Sequence, residues 1–89
     1  MIFNVRKKPF IVQAIQVSVN NLKEIEAFCN DAVVIPLNTC IHIEMENNTC
    51  TSGNTFIALF GDWIIKGVQG DFYTIHDDMF KLTYEIITD

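Results

Sequence analysis

The sequence predicts an α+β fold: a small bent antiparallel sheet, or a partly open barrel, of five to six strands with one short helix packed on it. Three observations lead there. Short apolar runs rich in β-branched and aromatic residues recur along the chain, separated by polar or glycine-bearing turns. A single segment has helical rather than alternating periodicity. At 89 residues the chain makes one domain, and 49% hydrophobic residues with seven Phe supply a core for it.

The elements follow in order. Residues 1–9 form a lead-in that carries Arg6, Lys7 and Lys8 and ends at Pro9. Residues 10–19 (FIVQAIQVSV) read as a strand whose polar positions do not alternate cleanly, as when both faces are partly covered. Asn21 with Glu24 three residues on resembles a capping box. Leu22, Ile25 and Phe28/Cys29 then fall on one stripe, which predicts a helix over residues 21–29. Asn30-Asp31 ends it.

Residues 32–37 (AVVIPL) read as a buried strand that ends, bends or lies at an edge at Pro36, because proline donates no ladder hydrogen bond. In residues 40–46, Ile41, Ile43 and Met45 point one way and His42, Glu44 and Glu46 the other, a half-exposed antiparallel strand. A polar loop over residues 47–54 leads to a strand over 55–60. Gly61-Asp62 is a turn signal, and Gly67 and Gly70 between two apolar runs predict a tight hairpin over residues 61–75. The tail reads as one helical turn at Met79-Phe80, capped by Asp77-Asp78, followed by a closing strand.

Composition excludes several functions. The longest apolar run is five residues, far short of the ~20 that span a bilayer, so no membrane partner is expected. No signal-peptide cleavage pattern follows the basic cluster. Three cysteines, an odd number with no Cys-x-x-Cys pair, favour a reducing cytoplasm over a disulfide framework. Eleven acids against six bases give a net charge of −5, which disfavours direct nucleic-acid binding and suits a partner with a basic surface.

The segment Gly61-Asp62-Trp63-Ile64-Ile65-Lys66-Gly67-Val68, then Gly70-Asp71-Phe72-Tyr73, Asp78-Met79-Phe80 and Thr83-Tyr84-Glu85, resembles a family of small phage and prophage proteins. Arg6-Lys7-Lys8-Pro9, Gln13-Ala14, Gln16 and Phe28-Cys29 agree with it as well. Asp71 stands where the family usually has Glu, and residues 74–77 replace a Cys-Lys-Pro stretch. The resemblance implies a phage origin and supplies no mechanism and no catalytic residue.

Each candidate site has a plainer reading beside it. His76 with Asp77 and Asp78 could serve acid–base or metal chemistry, but at a turn they read first as a helix start with a solvated histidine. His42, Glu44 and Glu46 could ligate a cation, yet an exposed strand face explains them as well. Cys29, Cys40 or Cys50 as a nucleophile would need a histidine and an activating environment; Cys29 lies on the helix's apolar stripe, and Cys50, in a polar loop, is the more reactive candidate. Trp63, Phe72 and Tyr73 could stack on a base, but at hairpin spacing they read as core or cross-strand pairs. Gly67 and Gly70 precede no helix, so they do not form a phosphate loop.

These readings leave no catalytic set, no metal and no cofactor, and point away from an enzyme. The expected function is a phage-encoded interaction protein that binds and inhibits a host protein, such as a component of a CRISPR defence system. Glu44, Glu46, Asp71, Asp77 and Asp78 would be its contacts with a basic surface. One alternative is a nucleotide-binding sponge using Arg6, Lys7, Lys8, Trp63 and Tyr73; another is a phage structural or accessory protein. A homodimer through an unpaired strand edge is also expected.

Overall fold

The computed structural model describes residues 1–6, 9–45 and 55–87. Within them the order is β1 (Gln13–Gln16), α1 (Leu22–Phe28), β2 (Val33–Pro36), β3 (Cys40–Glu44), β4 (Thr55–Leu59), β5 (Trp63–Lys66), β6 (Phe72–Ile75) and α2 (Asp77–Thr83). The class is α+β as expected, with six antiparallel strands in two three-stranded sheets, ordered β1-β5-β6 and β2-β3-β4. Among the described residues there are two helices rather than one, and the sheets do not close into a barrel.

The central strands carry the most deeply buried side chains: Ile41 and Ile43 on β3, Ile64 and Ile65 on β5. Ile41, Ile43, Ala58 and Ile64 meet Val17, Ile25 of α1 and Cys29 just after it in one core shared by both sheets. Leu22 and Phe28 pack against that core from α1, so the predicted apolar stripe is the buried one. The chain passes from the second sheet to the first at a tight turn after β4. There Gly61 takes φ +97, a left-handed conformation that glycine adopts without steric cost.

Four sequence expectations are corrected. The strand expected over residues 10–19 is confined to Gln13–Gln16, because its partner β5 ends at Lys66, where the turn begins. Phe10 and Ile11 are left exposed. β2 is an edge strand, as Pro36 foretold, but it is not buried: Val33 and Ile35 face solvent. Asn21 precedes α1 without capping it. Its side chain instead accepts from the Ser18 amide at 3.0 Å and donates to the Gln16 carbonyl at 2.7 Å, tying the helix entry to β1.

The tail is the fourth correction. It forms a seven-residue helix, and no strand follows it through residue 87. The predicted alternation lost to local pairing: Phe80 is buried, Asp77 and Lys81 pair at i,i+4, and Phe80 stacks on Tyr84, also four residues on.

Candidate functional site

Two surfaces emerge, one on each sheet. The first is built on β5, β6 and α2. Strand alternation puts Trp63 and Ile65 on the face opposite Ile64, and α2 covers that second face. The Phe80 ring lies 3.8 Å from Trp63, centroid to centroid, with only 3° between the planes. Phe80 in turn stacks on Tyr84 at 5.3 Å, and the Tyr84 and Tyr73 hydroxyls are hydrogen-bonded at 2.8 Å.

This aromatic stack forms the floor of a cleft of about 860 Å³, walled by residues 9–12 and 85–87. Among the described residues its charged lining is Asp71 and Glu85. Hydrogen bonding to Tyr84, then partial burial, pushes the Tyr73 phenol up to about 12, so it stays protonated at neutral pH.

Around the start of α2 the acidic residues are tied into the fold. Asp77 accepts the Trp63 indole N–H at 2.9 Å and pairs with Lys81 at 3.1 Å; these two partners hold its carboxyl below the usual range. His76, the residue before the helix, makes no side-chain cap. It turns back to Asp62, 2.8 Å from Nδ1 to Oδ1, and that hydrogen bond and charge raise its pKa above 6.5. The second Asp62 oxygen accepts the Leu59 amide at 3.0 Å. Asp62 was not singled out in the sequence; a buried acid inside a Gly-Asp turn is the signal that could have found it.

The second surface is the outer face of β2-β3-β4. Register places Ile35, His42 and Ile57 in one row, and Val33, Glu44 and Thr55 in the next. Leu37 and Leu59 extend the face beyond Ile35 and Ile57, with Cys40 opposite Leu59. Val33, Ile35, Leu37, Ile57 and Leu59 are each between 40% and 56% exposed. The outer face of a one-sided antiparallel sheet is usually polar, so this one is unusual.

The expected partner-binding residues are therefore divided. Glu44 lies at the end of the apolar face and is exposed. Asp71, Asp77 and Asp78 belong to the other sheet and its helix, with Asp77 engaged as described. Of the expected ligand-binding residues, Trp63 and Tyr73 do share the cleft, while Arg6 is exposed and not part of its lining. Glu46, Lys7, Lys8 and Cys50 lie outside the described residues.

Phe72 packs edge-to-face on Phe28 in the core rather than joining the cleft, with the Lys66 ammonium 5.6 Å from its ring centre. Cys29 is buried, and desolvation pushes its thiol up to about 11, the state of an inert packing cysteine. Among the described residues no three His, Cys, Asp or Glu side chains converge to hold a metal ion, and no helix is long and apolar enough to cross a membrane. Comparison with family models, with curated proteins and with solved structures gave no match.

Proposed function

We propose that this is a phage-encoded interaction protein that binds and inhibits a host protein through the outer face of β2-β3-β4. One observation carries the reading: five large apolar side chains lie exposed across that face, around His42 and Cys40. Contiguous apolar surface of this kind marks association sites, where central apolar groups supply most of the binding energy.

The charge of −5 adds a steering field toward a basic partner, with Glu44 at the rim of the face and Asp71 and Asp78 acting at longer range. The phage resemblance directs the choice of target to a defence component such as a CRISPR effector, whose nucleic-acid groove is basic. A cytoplasmic location fits the odd cysteine count and the unpaired Cys29 and Cys40.

The test compares capture from a bacterial host lysate by the native protein and by an Ile35→Asp, Ile57→Asp variant. Both positions are exposed, so the fold should be unchanged. A host protein held by the native chain, released by the variant and inhibited by the purified native chain is the expected outcome. Its association rate should fall as salt rises to physiological strength, where the Debye length is about 8 Å. Equal retention by the variant would rule out this face.

The nucleotide-sponge reading has one observation in its favour, the shared cleft of Trp63 and Tyr73. Asp71 and Glu85 in that cleft place negative charge against a phosphate, so the interaction reading is the better supported. A melting temperature raised by one nucleotide in a library would reverse that preference.

A further inference from the structure

We infer that two copies of this protein pair by exchanging N-terminal arms, residues 1–6 of each lying in the aromatic cleft of the other. The arm supplies the first half of the argument. Met1, Ile2, Phe3 and Val5 are all at least 70% exposed, so four large apolar side chains within five residues have no cover in the single chain. Isolated exposed apolar residues are ordinary, but a run of them marks a binding segment.

The cleft supplies the second half. Its floor is the Trp63–Phe80–Tyr84 stack, and among the described residues Asp71 and Glu85 are its charged lining. About 860 Å³ lies near the upper end of the ~300–1,000 Å³ typical of binding pockets, enough for Ile2, Phe3 and Val5 together.

Charge assigns the occupant. Directly after the apolar residues come Arg6, Lys7 and Lys8, three of the six basic residues in the chain. An apolar segment with a cationic end thus matches an aromatic floor with an anionic rim. At a net charge of −5 the copies otherwise repel each other, and the arm is the segment that offsets the repulsion.

Connectivity fits a two-fold arrangement. The chain runs from the arm into residues 9–12, which wall the cleft. Exchange of the arms across a two-fold axis would give two identical contacts.

Sedimentation equilibrium on the full chain tests the inference with two variants. Phe3→Asp disables the arm, and Glu85→Lys with Ile86→Asp disables the cleft. All three positions are exposed, and unchanged circular dichroism checks the fold. The native chain should form a dimer that each variant weakens at least tenfold. An equimolar mixture of the two should recover association, because one arm and one cleft remain intact in the mixed pair.

A native chain that stays monomeric through the micromolar range would overturn the inference. So would a dimer indifferent to Phe3→Asp, or one removed instead by Ile57→Asp, which would place the contact on the second sheet. A monomer destabilised by Phe3→Asp would mean that the arm fills its own cleft, and would overturn it equally.

Discussion

Asp62 fixes the passage between the sheets with one carboxylate and its own peptide groups. One oxygen holds the Leu59 amide, the other faces His76, and the backbone carbonyl accepts from Val17 at 2.8 Å. Asp62→Ala orphans the Leu59 amide and should cost about 1–3 kcal/mol, the usual penalty for a partly buried donor left without a partner. Thermal unfolding will read this directly, at roughly 4–8 °C per kcal/mol for a domain of this size. Asp62→Asn keeps an acceptor for Leu59, so it should cost less while losing the charge that acts on His76.

That charge has a pH signature. The pKa of His76 is raised above its ordinary 6.5 in the folded state, so its contribution is complete below 6.5 and fades as pH rises through the folded value. The melting-temperature advantage of the native chain over His76→Gln should therefore shrink from mildly acidic to mildly alkaline buffer. A constant difference would show that the Asp62 contact has no part in it. None of this was legible in the sequence. Composition displays His76 beside Asp77 and Asp78, and nothing local says that it turns to an acid fourteen positions upstream.

At the scale of elements, the hairpin was legible, and of α2 only one turn was. Gly70 at φ +86 and the hydrogen bond from its amide to the Gly67 carbonyl form the turn that glycine spacing predicts. Gly70→Ala should cost about 1 kcal/mol through left-handed strain, measurable by urea denaturation. At Gly67 a Cβ would meet only the carboxylate of Asp71, the end of an exposed side chain that can swing aside, so the turn's demand for glycine lies at Gly70.

The tail misled because residues 80–87 alternate as well as any strand, whereas Phe80 gains more by lying flat on Trp63 than by joining a sheet edge. Phe80→Ala removes a buried ring and should destabilise by about 3 kcal/mol. Trp63 emission should shift toward that of a solvated indole at the same time. An unshifted spectrum would mean that something else covers the indole. The helix α1 was read correctly from its stripe, although its cap was not. An asparagine before a helix has more than one amide within reach, and only the tertiary path chose Ser18 and Gln16 for it.

For the molecule as a whole, the α+β class and a count of five to six strands were readable, because β-branched runs and polar turns mark strands locally. The division into two sheets was not, since it depends on which strands meet after the Gly61 turn. The two exposed surfaces were hidden for a related reason: Val33, Ile35 and Ile57 look like core until an edge position and an outward register show otherwise.

Cys29 sits where helix and both sheets converge, completely shielded and with its proton firmly held. An alkylating reagent can reach it only when that junction comes apart, so its modification should proceed at the pace of cooperative opening rather than of local fraying. Mass spectrometry following carbamidomethylation of Cys29 against the half-exposed Cys40 would then provide an internal stopwatch for global breathing, and Phe80→Ala should make it run faster.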